Sequence, residues 1–219
     1  MTAQSADSGH WPIPLVGITE SVVTTLGPNN KWNVAALGLH TEPGDPVTAT
    51  TWGRTRTWRN FTEERPATIQ FISDPRIFVA AALSTIEIDA STVANAHAWV
   101  DIEVRSVADG KRGGTQWEEW EITHVDATVS DPTVPIINRA TNAVIEATVA
   151  ASRLDVDVYD TDVLVDRLVH HAEVTDRCGG PHAREAFAGV DELTGWRSYS
   201  DDDTAAPTFD LTYDRKELF

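Results

Sequence analysis

Between Trp52 and Asn60 the chain reads W-G-R-T-R-T-W-R-N, three arginines and two threonines in nine residues without an acid. Guanidinium groups make charge-assisted hydrogen bonds to phosphate oxygens, often in pairs, and hydroxyls complete such a cradle. Thr55 and Thr57 lie two apart, so on a strand their hydroxyls share one face. Asn60, with Glu63 three residues later, fits a helix N-cap, where free N–H groups favour an anion. Holding a phosphate is the chemistry this combination suits. Spacing alone leaves a second reading open, because threonine also populates ordinary half-exposed strands.

Other constellations are poorer. His170-His171 lie near Asp166 and Glu173, but adjacent helical residues point about 100° apart, so the pair cannot serve one metal ion. We expect His171 at the edge of a core and no metal site. Arg139, Glu146 and Arg153 recur at heptad spacing, as an ion-pair row would. Asn138-Arg139 opens the same helix and stands where it could approach a bound anion. Trp117 and Trp120 are three apart, which on a strand without a bulge places them on opposite faces, one in the core and the other at an interface. Cys178 is the only cysteine, excluding an internal disulfide and fitting a small buried residue in a reducing cytoplasm.

Composition makes the arginine island stand out. Asp and Glu total 34 against 17 Lys and Arg, for a net charge of −17. Such a field repels nucleic acid and anionic membranes, and we expect neither as a partner. Acid excess with lysine only at positions 31, 111 and 216 suits a salt-rich cytoplasm, that of a halophilic archaeon, with a generic acidic mesophile as the alternative. No apolar run of membrane-spanning length is present, and Met1–His10 lacks the features of a signal peptide.

Two kinds of periodicity divide the chain. Gly17–Leu26 and Asn33–His40 read as strands around the turn Gly27-Pro28-Asn29-Asn30. A further turn, Pro43-Gly44-Asp45-Pro46, precedes a strand expected over Val47–Trp58, and Ala67–Ile72 is a short apolar strand. Ser73-Asp74-Pro75 supplies an N-cap and a proline at the first helical position, with Ile77–Leu83 as the helix. Trp99–Val107 and Trp117–Val129 alternate on either side of a turn at Asp109-Gly110…Gly113-Gly114. This pattern implies a small barrel. From Asn138 the spacing turns helical, through Ala140, Ala143, Val144, Ala147, Ala151 and Leu154. A second helix, Thr161–Arg177, uses Val163, Leu164, Leu168, His171 and Val174. Gly179-Gly180 ends it, and Pro181 starts a third. The expected organisation is a barrel over residues 15–131, a helical subdomain over 132–197 packed on it, and a mobile acidic tail over 198–219. Phe209–Tyr213 is a candidate edge strand.

Order along the chain supplies a resemblance. Gly17–Thr25, Asn33-Val34-Ala35, Thr55-Arg56-Thr57-Trp58-Arg59-Asn60 and Asp74-Pro75 through Ala82 are similar to an uncharacterised archaeal family of flavin-reductase-like split barrels. Asn138-Arg139, Val144-Ile145-Glu146-Ala147, Gly179-Gly180 and Arg184-Glu185-Ala186 continue the similarity. Gln70 departs from the usual Asn, and Arg54 replaces a small residue. The resemblance implies a β-rich α+β fold, an FMN-binding split β-barrel with a C-terminal helical subdomain. It implies FMN at or near a homodimer interface, with Thr55, Arg56, Thr57 and Asn60 on the phosphate. Asn33, Val34 and Ala35 would lie along the isoalloxazine, with Gln70, Asn138 and Arg139 completing the cofactor set. An FMN-dependent oxidoreductase or flavin reductase, taking electrons from NAD(P)H or another donor, is the implied activity; a non-catalytic FMN carrier is the alternative.

Overall fold

Val, Ile and Thr fill the stretch from Gly17 to Leu26, and the chain there extends into a strand that is buried from Ser21 to Thr25. The structure is a computed structural model describing residues 4–5, 11–15, 17–42, 44–130, 138–199 and 206–219. Its elements are, in order, β1 (Gln4–Ser5), β2 (Gly17–Leu26), β3 (Trp32–Thr41), β4 (Thr48–Trp52) and α1 (Arg56–Thr62). Then come β5 (Ala67–Phe71), α2 (Pro75–Leu83), β6 (Ile86–Ile88), β7 (Ala98–Arg112) and β8 (Thr115–Val129). Three helices follow: α3 (Arg139–Ala151), α4 (Thr161–Cys178) and α5 (Pro181–Thr194). None of the helices among the described residues is long and apolar enough to cross a membrane.

By contact the chain divides into two units: Met1–Ser73 with Thr85–Thr133, and Asp74–Ser84 with Val134–Phe219. In the first, β2, β3, β4, β8, β7 and β5 pair antiparallel in that order, and the β5–β2 pairing closes the ring. The result is a six-stranded split barrel, with β1 added to β8 and β6 to β3. Closure removes the free edges that an open sheet would expose. Residues of one parity along each strand point inward: Val23 on β2, Leu37 and Leu39 on β3, Ile69 and Phe71 on β5, Val100 and Ile102 on β7. Phe61 of α1 packs edge-to-face on Trp120 of β8, with ring centroids 5.3 Å apart, so α1 contributes to the barrel core. Trp120 is the core tryptophan of its pair, donating its indole N–H to Thr51 Oγ1 at 2.9 Å.

Two expectations about the strands need correction. The β7–β8 hairpin turns at Gly113-Gly114, where φ is +56° and +81°, and Asp109-Gly110 are in strand. A two-residue loop with both φ positive matches the twist of the flanking strands, so the ladder runs on to Arg112. The strand after the second turn stops at Trp52, and Thr55–Asn60 belong to a helix start and helix.

The second unit is helical. Asp74, Asn138 and Asp160 each accept N–H hydrogen bonds from the first turns of α2, α3 and α4. Ala140, Ala143, Val144 and Ala147 bury one face of α3; the helix ends at Ala151, and Leu154 is buried in the turn beyond. On α4 the buried stripe is Leu164, Val165, Leu168, Ala172 and Thr175. Val163 is 46 % exposed, so the face is rotated from the expected one. Phe209–Tyr213 forms no strand. Instead Tyr213 lies on α5 at Gly189, where an added Cβ would come within 2.8 Å of the ring, and its hydroxyl donates to the Arg76 carbonyl at 2.8 Å. Side-chain docking in place of a ladder explains why an alternating pattern misled there. Asp201-Asp202-Asp203 and the boundary near Asp131 lie outside the described residues.

Candidate functional site

Local sequence decides how the arginine segment folds. After β4, Gly53 turns the chain at φ +72°, and Thr55 takes an extended conformation from which its hydroxyl accepts the Trp58 N–H at 3.2 Å. Thr55 is therefore the N-cap, five residues before the expected cap at Asn60. Thr57, Asn60 and Phe61 recur at helical spacing and are all buried, which favours a helix. Glu63 serves at the C-terminal end. Thr55 and Thr57 consequently do not share a strand face; one caps the helix and the other enters the barrel.

Beneath α1 lies a small polar cluster. Asn33 donates from Nδ2 to Thr57 Oγ1 at 3.2 Å, and Asn60 donates from Nδ2 to Thr25 Oγ1 at 2.8 Å. These four side chains pair with one another, as buried polar groups must. They tie α1 to β2 and β3 at one end of the barrel. Gln70 belongs elsewhere: fully buried, it donates to Thr24 Oγ1 at 3.1 Å and the Ser91 carbonyl at 3.3 Å, and accepts from the Val93 N–H. Thr24 and Thr25 alternate along β2, so Gln70 lies on the opposite face of the sheet from Asn60. Asn138 caps α3, and exposed Arg139 follows it, both in the helical unit.

The barrel opens along β3. Its ladder with β4 covers only Leu39↔Ala49 and His40↔Thr48, whereas β4 continues to Trp52 on β8 alone. At the other end of β3, β6 pairs with Trp32, Asn33 and Val34. Ala35, Ala36, Leu37 and Gly38 thus have β2 on one side and, among the described residues, no strand on the other. Ala35, Ala36 and Gly38 are small and partly exposed. A planar group can come close to such an edge and reach its backbone N–H and C=O groups. The open edge begins at Ala35, since Asn33 and Val34 face β6 on that side.

Cations flank this opening. Arg56 pairs with Glu87 of β6 at 2.7 Å, and Arg54 donates from Nε to Gln116 of β8 at 3.0 Å while lying over the Trp58 ring. Trp58 donates its indole N–H to Glu118. Arg56 is about half exposed, so part of its guanidinium faces water. Glu87 went unrecognised in the sequence; the alternation Ile86-Glu87-Ile88 is the signal that places it on a strand. Among the described residues no three His, Cys, Asp or Glu side chains group as a metal site. Arg139, Glu146 and Arg153 form no ion pair with one another there; Arg153 lies over Tyr159.

Comparison with known proteins follows the fold. An FMN-bound protein of Methanosarcina mazei assigned to the family DUF447 is 22 % identical, with 81 % of this chain and 95 % of that chain covered at a TM-score of 0.66. The flavin reductase of a Pseudomonas putida styrene monooxygenase is 12 % identical over 52 % of this chain and 82 % of its own, at 0.38. Flavoredoxin from Methanosarcina acetivorans is 13 % identical over 55 % and 72 %, at 0.36. No curated protein sequence matches the chain. Residues 19–131 match the N-terminal domain of a protein of unknown function, DUF447, and residues 138–191 match a second domain of the same description, so the chain belongs to the DUF447 family.

Proposed function

We propose that this protein is an FMN-binding flavoprotein that works as an oxidoreductase. The observation that carries the reading is the opening along β3: a small-residue backbone edge at Ala35–Gly38 with Thr55 and Arg56 beside it. A flavin ring needs a flat approach and backbone partners, and its phosphate needs a cation; this opening offers both in a chain of net charge −17. The bound cofactor of the Methanosarcina mazei relative supports the same ligand. Arg56 supplies charge to the phosphate and the Thr55 hydroxyl borders it. Thr57 and Asn60, both buried, act from behind by fixing α1 against Thr25 and Asn33. Flavin, when bound, accepts and donates hydride itself, so the chain has only to bind, orient and shield it. Asn138 and Arg139 belong to the proposal as candidates for a second anion.

The test is spectroscopic. Protein purified without added cofactor should carry a flavin absorption spectrum, and FMN added to stripped protein should lose fluorescence stoichiometrically. A colourless protein that leaves FMN fluorescence unchanged removes the proposal. Bleaching of the bound flavin by NADH or NADPH supports the oxidoreductase; binding without bleaching by either makes the protein a carrier.

A further inference from the structure

The Arg56 side chain is held by a carboxylate that is itself held. Glu87 Oε1 forms an ion pair with Arg56 Nη1 at 2.7 Å. Both oxygens of the same carboxylate accept from Asn29 Nδ2, at 3.3 Å each. Asn29 lies in the β2–β3 turn, whose geometry is fixed by Gly27 and Asn30, joined to Lys31 and Gly27 through backbone hydrogen bonds of 2.7 and 3.1 Å. Glu87 itself sits in the β6 ladder opposite Asn33. The next outward residue of that strand end, Asp89, pairs with Lys31 and ties the same turn. Two carboxylates thus fasten β6 to the turn, and one of them extends to Arg56.

We propose that Glu87 is a positioning residue for Arg56, setting the guanidinium beside the β3 opening so that it selects ligands carrying a terminal phosphate. The inference rests on the proposed flavin site. Its physical basis is asymmetry in the contact. Arg56 presents five N–H donors, and Glu87 engages it through Nη1, leaving Nε and Nη2 for a phosphate. An exposed ion pair contributes little to fold stability. Its value here is that a long side chain arrives at the ligand already ordered, which removes an entropic cost from binding. The carboxylate also repels a phosphate dianion, so charge and position act in opposite directions, and separating them needs two neutral variants.

Glu87→Gln keeps the acceptor and loses the charge; Glu87→Ala loses both. At one fixed salt concentration, FMN and riboflavin are titrated into each by fluorescence quenching. Positioning predicts that Glu87→Ala binds FMN about 5-fold more weakly than Glu87→Gln, the ordering cost of one long side chain, while riboflavin binds the two alike. Asn29→Ala, which frees the carboxylate from its second anchor, should shift FMN in the same direction by a smaller factor. Equal FMN affinity in the two Glu87 variants overturns the inference, and so does an equal loss for FMN and riboflavin. Arg56→Ala distinguishes the levels: if it spares FMN and riboflavin alike, the phosphate assignment itself fails. If it weakens FMN selectively while the Glu87 variants agree, only the positioning role fails.

Discussion

Two arginines, one in each unit, meet carboxylates in different ways. Arg76, in the first turn of α2, bonds Asp74 through Nε and Nη2 at 3.0 and 2.7 Å and Glu185 of α5 through Nη1 at 3.0 Å. Its side chain is 20 % exposed, as is that of Asp74. Arg56, the first residue of α1, has one carboxylate partner among the described residues and is 49 % exposed. Burial by itself would raise the Asp74 carboxyl, but the hydrogen bonds and charge of Arg76 hold it below the ordinary value. Those carboxylates in turn raise the Arg76 guanidinium. An arginine with its donors committed to two acids is part of the scaffold. One with donors left over is available to a ligand.

The largest effect should come from the committed arginine. Arg76→Ala leaves Asp74 and Glu185 partly buried without their cation, and should cost about 3 kcal/mol of stability. Urea unfolding with an unchanged slope is the measurement, since a changed slope would mean that the unfolded state had also altered. A loss below about 0.5 kcal/mol, the level of an ordinary surface change, would erase the contrast with Arg56.

Arg56→Ala should behave in the opposite sense. Its ion pair is exposed enough that stability should change by less than about 0.5 kcal/mol. FMN binding should weaken by about 1.5–3 kcal/mol, the range for hydrogen bonds to charged groups, with riboflavin little affected. Parallel weakening of both flavins would make Arg56 structural and end the comparison from the other side.

Which parts of this contrast were legible depends on how local their causes are. The strands Gly17–Leu26 and Trp32–Thr41, the cap at Asp74 and the breaks at Gly179-Gly180 follow from neighbouring residue types, and all were anticipated within a residue or two. Thr55–Asn60 was anticipated as a place but not as a shape. Thr-Arg-Thr alternates like a strand, and Asn60 with Glu63 imitates a capping box; burial of Thr57, Asn60 and Phe61 against β2, β3 and β8 decided for helix. The Glu87–Arg56 contact spans 31 positions and depends on β6 pairing with β3, so no local pattern announces it. The resemblance brought Gln70 and Asn60 into one set, yet strand parity puts them on opposite faces of β2.

The smallest effect tests the helical unit again, now by proton. His171 on α4 is held below its ordinary pKa by burial first, then by the neighbouring charges of His170 and Arg167, with Glu146 of α3 pulling the other way. The folded protein therefore disfavours the imidazolium, whereas the unfolded chain takes up the proton near 6.5. Stability from this residue is present above that pH and declines as pH falls below it. One site can contribute a slope of at most about 1.4 kcal/mol per pH unit. Urea midpoints at pH 7, 6 and 5 should fall more steeply in the wild type than in His171→Gln, which removes the titration and leaves His170 in place. Parallel curves would show that His171 is solvated in both states, an ionisable group open to water in the helical unit as Arg56 is in the barrel.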